Sequence, residues 1–204
     1  MPKFPILLLA AGKSSRMGTP KQLLPWGNNT LFEQAISSAL SLKNHPLFVV
    51  VGAYHEQLLP LIPSKVVKSV VNPQWEEGMG TSIAVGIKAV LKIYPNASGV
   101  LIFLVDQPLV DTHYLAEFFK IGRVKKGHII ASRYPDGHFG VPAFFDAVYF
   151  NELLGFSKDQ GARTLMKRYS KQVIGLSGGD SLRDIDTPEA YQEMFAQFSS
   201  NPRS

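Results

Sequence analysis

Short apolar, β-rich runs recur along this 204-residue chain at Phe4–Leu9, Leu47–Val51, Val66–Val71, Val100–Val105, His128–Ser132, Pro142–Phe145 and Gln172–Leu176, with helical patterns between most of them. Strand and helix in alternation build right-handed βαβ units. The expected fold is therefore α/β, a mostly parallel sheet with helices on both faces. Local signals agree. Thr30-Leu31-Phe32-Glu33 is a capping box that predicts a helix to about Leu42. Gly80 or Thr81 opens a second helix with Ile83, Ile87, Val90 and Leu91 on one face. Asp111-Thr112 caps a third, Asp146 a fourth, and a fifth spans Gln160 to Tyr169. Thr187-Pro188 starts the last helix with proline at its first position. The short, late run Pro142–Phe145 is a candidate antiparallel insertion.

In such sheets ligands sit at the carboxyl ends of strands. The loops after Leu9, Val71 and Val105 should therefore meet in one cleft. The first reads LLAAGKSSRMGTPK from Leu8 to Lys21. A buried strand feeding small residues and fixed cations suits a phosphate-rich ligand. Gly12 and Gly18 allow close backbone approach and a sharp turn. Successive N–H groups can form an anion nest. Arg16 can grip phosphate oxygens in bidentate fashion, and Lys21 is a mobile point charge. The candidate nucleotide contacts are Leu9, Ala10, Ala11, Gly12, Ser14, Ser15, Arg16, Gly18 and Lys21. The two commoner phosphate loops are excluded. After Gly12 and four further residues stands Met17, not the glycine of a Walker loop, and the dinucleotide GxGxxG pattern is absent.

Composition removes other classes. The chain has no Cys, so disulfides, thiolate metal sites and thiol catalysis are excluded. None of its five His has metal-ligand spacing. The apolar stretch Phe4 to Ala11 is too short to span a membrane, and no other segment could. A cytoplasmic protein without membrane association is expected. The formal charge of +5 is scattered, with small groups at Arg123/Lys125/Lys126 and Lys167/Arg168/Lys171. No aromatic–basic interleaving suggests nucleic acid, but the surplus would help attract a polyanionic substrate. The length suits one domain, expected over residues 1–198, with 199–204 as a polar tail.

Three further segments carry chemistry. Asp106 follows the apolar run Val100-Leu101-Ile102-Phe103-Leu104-Val105, where a carboxylate can hold Mg²⁺ or cap the turn at Pro108. Asp184 and Asp186 alternate along a short extended segment and point to opposite sides, so only one is expected to face a metal. Asn72 to Ser82 ends in glycines and hydroxyls at a helix N-terminus.

The loop resembles the signature of nucleotidyltransferases that attach NMP to the molybdenum cofactor, namely molybdopterin guanylyltransferases and molybdenum cofactor cytidylyltransferases. The likeness recurs at Asn72 to Ser82, Val105 to Pro108, Gly140 to Phe145, Asp159 to Arg163 and Asp184 to Glu189, in order over nearly the whole chain. It implies a three-layer α/β/α Rossmann-like nucleotidyltransferase (GT-A-like) fold with a mostly parallel mixed sheet. It implies Arg16, Lys21 and Asp106 as catalytic residues. Mg²⁺ would be the cofactor, held by Asp106 and Asp184. Asn72, Gly80 and Ser82 would lie beside base and ribose, and Gly140, Pro142, Asp159 and Arg163 on the acceptor side. Val141 and Lys158 depart from the family pattern, where a polar residue and a glycine are usual. Leu9-Ala10-Ala11-Gly12 and Asp106-Gln107-Pro108 look like the cytidylyl branch. The resemblance thus implies CMP transfer from CTP to the phosphate of molybdopterin, for a recipient molybdoenzyme. The alternatives are GTP as donor, a sugar-phosphate type of acceptor, or a non-catalytic molybdopterin-delivery protein.

Overall fold

The computed structural model describes residues 3–158 and 160–200. Its strands and α-helices, in chain order, are β1 (Ile6–Ala10), β2 (Pro25–Trp26), β3 (Asn29–Thr30), α1 (Leu31–Leu40), β4 (Leu47–Val51), α2 (His55–Leu58), β5 (Val67–Val71), α3 (Met79–Ile93), β6 (Gly99–Leu104), α4 (Thr112–Val124), β7 (Ile129–Arg133), β8 (Phe139–Asp146), α5 (Phe150–Leu154), α6 (Ala162–Arg168), β9 (Val173–Ser177) and α7 (Pro188–Ser200).

Seven strands form one mixed sheet in the order β5-β4-β1-β6-β8-β7-β9. β1 runs parallel to β4 and β6, with Ile6 opposite both Leu47 and Leu101. β8 is antiparallel to both its neighbours, β6 and β7, as expected for the insertion. β1 and β4 are buried throughout, because helices cover both faces. The strand period of two divides their side chains. Ile6, Leu8 and Ala10 pack with Phe32, Ile36, Leu115 and Phe118 of α1 and α4. Leu7 and Leu9 pack on the other face with Ile83, Ile87 and Val90 of α3 and with Leu165 of α6. The result is a three-layer α/β/α fold around a mostly parallel mixed sheet. A third apolar cluster, Met17, Trp26, Leu31, Ile185 and Met194, ties the loop after β1 to the β2–β3 hairpin and α7.

Several predicted boundaries move. The Thr30 capping box forms, with Glu33 N donating to Thr30 Oγ1 at 3.2 Å, but α1 ends at Leu40 rather than Leu42. α3 opens at Met79, one residue before Gly80, because Gly78 at φ 117° turns the chain into the helix. Asp146 caps a 3₁₀ turn, Ala147–Tyr149, before α5 begins. α6 starts at Ala162 instead of Gln160. Thr187 accepts from Ala190 N at 3.3 Å, and α7 runs to Ser200. Ser199 and Ser200 of the expected tail are therefore helical, and 201–204 lie outside the described residues. Among the described residues no helix is long and apolar enough to cross a membrane.

Candidate active site

The loops after β1, β5 and β6 open on one cleft of about 400 Å³, a suitable size for a small ligand. Its floor is the loop from Leu9 to Met17. Ser14 at φ 56° and Gly18 at φ 68° bracket a 3₁₀ turn, Ser15–Met17, closed by Met17 N donating to Ser14 O at 2.9 Å. Such a path bends the backbone round a ligand instead of past it. The buried side chain of Gln22 holds the path open. Its Nε2 donates to Ala10 O at 3.2 Å and Gly12 O at 2.7 Å, while its Oε1 accepts from Ser14 Oγ at 3.3 Å. Sequence reasoning passed over Gln22. Its only signal was a polar side chain directly after Lys21.

Lys21 sits beneath this loop. Its Nζ donates to Asp106 Oδ2 at 2.5 Å, to Asp186 Oδ1 at 3.2 Å and to the Ile185 carbonyl at 3.2 Å. Burial pulls the Lys21 pKa down. The charges of Asp106 and then Asp186 outweigh burial and raise it, so the ammonium stays charged. Arg16 is mostly exposed and reaches Asp186 Oδ2 at 3.1 Å. The 184–186 segment is pinned to the strand end, with Ile185 N donating to Asp106 O at 2.9 Å and the Ile185 side chain fully buried.

That pin sends the two flanking acids to different neighbours. Asp186 lines the cleft with Lys21 and Arg16. Asp184 is not on the cleft wall and turns instead toward Gln107 and Tyr134. Its carboxyl is pushed up to about 6, by desolvation first and then by the charge of Asp106. The residue keeps an exposed face, and water screening limits the energy attached to this shift.

At the other end of the cleft stand Trp75, Glu76, Gly78, Met79 and Ser82. Trp75 and Met79 supply apolar surface for a flat base. The Ala11 wall is tight: a Cβ on Gly52 would lie 2.9 Å from Ala11 Cβ and 2.6 Å from Trp75 Cβ. Three residues expected to contact the nucleotide, Gly18, Asn72 and Gly80, do not line the cleft; Gly18 instead ends the 3₁₀ turn at φ 68°. Asn72 is buried, with Nδ2 donating to Thr81 Oγ1 and Ser82 Oγ, each at 2.9 Å, and Oδ1 accepting from Gln74 N at 3.0 Å. Its hydrogen bonds hold the helix start and orient Ser82. Gly80 packs under the segment before α6, where its N–H donates to Lys158 O at 3.0 Å and a Cβ would meet Gln160 O at 2.6 Å. It serves close backbone packing between two loops. Trp75 and Met79 were missed because an aromatic or a methionine in a loop reads as core.

Beyond Asp106 lies a polar array on β7, β8 and α6. Gln107 Nε2 donates to Tyr134 Oη at 2.6 Å, and Tyr134 Oη donates to Val141 O at 2.8 Å. The Tyr134 ring covers Gly140, where a Cβ would approach it to 2.8 Å. The phenol pKa is pushed well up, by burial first, then by Asp184 and Asp106, so the hydroxyl keeps its proton. Arg163 on α6 lies in the same field and contacts His138 at 2.9 Å. Gly140 thus lies against Tyr134 and Arg163 against His138, while Pro142 accepts at its carbonyl from Ser132 Oγ at 2.8 Å. Asp159 lies outside the described residues.

Asp106 Oδ1 is buried and has no hydrogen-bond partner among the described residues, although Oδ2 holds Lys21. Asp106 lines the cleft, and a hard cation prefers such an oxygen. Among the described residues no three acidic or imidazole groups converge as a metal cage. Mg²⁺ fits one or two carboxylates, since it completes its shell with water and phosphate oxygens.

A three-layer sheet with a small-residue loop after β1 and an acid after β6 defines a nucleotide-binding protein of the transferase type. The chain matches the MobA-like NTP transferase domain over residues 6–173 and belongs to that family. It is 29% identical over 196 residues to the purine catabolism protein PucB of Bacillus subtilis (strain 168), covering 91% of this chain and 92% of that one. It is likewise 29% identical over 196 residues to a nicotine blue oxidoreductase of Paenarthrobacter nicotinovorans, with 90% and 92% covered. Molybdenum cofactor cytidylyltransferase of Escherichia coli (strain K12) is 31% identical over 85 residues, 41% of this chain and 44% of that one. Among solved structures, Rv0371c of Mycobacterium tuberculosis H37Rv superposes with a TM-score of 0.82 at 28% identity, covering 96% and 98% of the two chains. Its manganese complex gives 0.79 at 25%, with the same coverage.

Proposed function

We propose that this chain is a Mg²⁺-dependent cytidylyltransferase that moves CMP from CTP to the terminal phosphate of molybdopterin and releases pyrophosphate. The observation that carries the reading is the meeting of Lys21 with Asp106 and Asp186 directly beneath the Ala11–Gly12 loop. Pure ligand binding has no need of such a clustered acid–base clamp. The match over 85 residues to a molybdenum cofactor cytidylyltransferase supports the acceptor, and the manganese complex of a structural relative supports a divalent cation. Ala11 and Trp75 both line the cleft, and a methyl in place of hydrogen at residue 11 takes up space beside the base, which favours a pyrimidine over a purine.

The acceptor phosphate attacks the α-phosphorus, a new P–O bond forms, and the bond to the β-phosphate oxygen breaks in line. A phosphate monoester has a second pKa of about 6, so near neutral pH it attacks without help from a protein base. The work left to the protein is positioning and charge stabilisation. Loop amides and Arg16 hold the β- and γ-phosphates, and Lys21 answers the charge growing at the α-phosphate. Asp106, with Asp186 or Asp184, would hold Mg²⁺, which supplies charge neutralisation on phosphate oxygens. Gln22 keeps the loop in its binding shape. The setting is cytoplasmic, and a single domain over residues 1–198 carries the activity.

The test is incubation with Mg²⁺, molybdopterin and each NTP in turn, with mass detection of the pterin dinucleotide. The cytidine dinucleotide is expected with CTP alone. Product with GTP alone would overturn the base assignment. No product with any nucleotide would overturn the transferase reading with this acceptor.

A further inference from the structure

The acceptor-side segment Gly140-Val141-Pro142 has an apolar residue where the related pattern carries a polar one. Val141 does not supply that polarity from its side chain; its carbonyl is spent on Tyr134 Oη. A polar group nonetheless stands at this wall, three residues upstream. The His138 ring stacks on Tyr134, with centroids 4.3 Å apart and planes at 18°. Its Nδ1 contacts Asp136 Oδ1, and its Nε2 lies 2.9 Å from an Arg163 terminal nitrogen.

The direction of these bonds follows from the partners. A guanidinium has only donors, so His138 Nε2 must accept. The ring proton then sits on Nδ1 and is donated to the Asp136 carboxylate. Asp136 also accepts from His138 N at 3.2 Å, which fixes the turn between β7 and β8. The groups facing the imidazole are thus Asp136 and Tyr134 from the β7–β8 connection and Arg163 from α6. Together they hold a neutral ring in one tautomer and one plane, as a carboxylate–histidine pair orients a metal ligand elsewhere. Arg163 would otherwise be a long exposed side chain with several rotamers. One arm of its fork is held by His138, and a guanidinium carries further donors with which to take an anion. The Tyr134 hydroxyl lies in the fields of Asp184 and Asp106 as well as that of Arg163. Through the stack on Tyr134 and the 2.6 Å bond from Gln107 to Tyr134, the His138–Arg163 pair is tied to the strand end that carries Asp106.

We propose that His138, braced by Asp136 and Tyr134, is the positioning residue that orients Arg163 toward the phosphate of the acceptor. It replaces, from the neighbouring turn, the polar group missing at Val141. The proposal rests on the transferase reading above. It assigns the acceptor phosphate a bidentate partner set before substrate arrives, which limits the ordering needed on binding.

Two measurements test it. In ¹⁵N spectra of the histidine rings, His138 should be protonated at Nδ1, with Nε2 accepting, and Arg163→Ala should shift its Nε2 signal. A ring protonated at Nε2, or one indifferent to Arg163→Ala, overturns the relay. In steady-state kinetics His138→Phe keeps the stack on Tyr134 and removes the acceptor. It should raise the KM for molybdopterin roughly tenfold, the size expected for losing a charge-assisted hydrogen bond. The KM for CTP and kcat should stay within about twofold, because Lys21 and the loop after β1 are untouched. His138→Gln, whose amide oxygen can accept at the Nε2 position, should recover most of the loss. In an Arg163→Ala background His138→Phe should add nothing. An unchanged KM, an equal fall in kcat, or no rescue by glutamine overturns the positioning role. A wild-type protein that shows the expected tautomer yet makes no dinucleotide would sink the transferase reading and this role with it, leaving the relay as a structural tie.

Discussion

On the β1 side of the cleft the candidate contacts are backbone groups, the shielded Lys21 and Asp106 and the exposed Arg16, at the end of a parallel strand. On the β8 side they are side chains spread over a hairpin and a short helix, from buried Gln107 to exposed Arg163. The first wall is held from behind: Gln22 bonds the loop carbonyls, and Ile185 is buried between the two acids that flank it. The second wall is held laterally, by hydrogen bonds from Gln107 to Tyr134 and from Arg163 to His138. Backbone walls tolerate few substitutions and recognise what all nucleoside triphosphates share. Side-chain walls can be rebuilt one residue at a time, as Val141 and His138 illustrate. The chemistry should therefore depend on the first wall and the choice of acceptor on the second.

The sharpest way to break this contrast is Lys21→Ala. Turnover should fall about 10²–10³-fold, the range seen when a stabilising donor is removed from a reacting centre. CTP affinity, read by equilibrium binding, should change by less than about tenfold. An equal loss in both would deny Lys21 a role in the transition state.

A smaller effect is expected at Gln22. Gln22→Leu leaves the buried carbonyl of Ala10, and that of Gly12, without the Gln22 donor, at a cost of about 1–3 kcal/mol in a denaturant titration. CTP binding should weaken while the KM for acceptor holds. Loss at the acceptor alone would mean that the two walls are not independent.

The mildest effect concerns pH. The Asp184 pKa is raised on folding, from 3.8 to about 6. The folded state therefore keeps the proton more readily than the unfolded one. The share of stability linked to Asp184 is present at low pH and falls as pH rises through that window. Activity should run the other way. As pH drops through about 6, Asp184 takes up a proton, the acidic pair loses charge, and the Mg²⁺ concentration needed for half-maximal rate should climb. Asp184→Asn should remove that limb of the profile. An identical limb in the variant would assign it to another group, such as the acceptor phosphate.

The parallel half of the molecule was legible because its strands are continuous apolar runs. Leu47–Val51 was read to the residue, and Asp106 could be placed at a strand end before any contact was known. The Thr30 and Asp111 caps were legible because each satisfies free helix amides locally, three residues on. What escaped depends on partners distant in sequence. Gln22 serves carbonyls up to twelve residues upstream, and Tyr134 is fixed by Gln107. Asn72 looked like a base reader because an amide can both donate and accept. The fold uses those capacities on Thr81, Ser82 and Gln74, which only the packing of α3 against β5 could reveal. The choice between Asp184 and Asp186 turned on which way Ile185 is buried, and alternation alone does not say.

The quartet of Arg16, Lys21, Asp106 and Asp186 has one more consequence. Two cations already answer two carboxylates, so the resting cleft carries no surplus charge of either sign from these four groups. Under the function proposed above, an arriving triphosphate takes the cations away, and the abandoned carboxylates then need a new positive partner. A nucleotide that brings its own divalent ion completes this exchange of partners, and a bare nucleotide or a stray phosphate does not. The site thereby discriminates by net balance as well as by shape. Simple anions should then compete poorly with the metal–nucleotide complex.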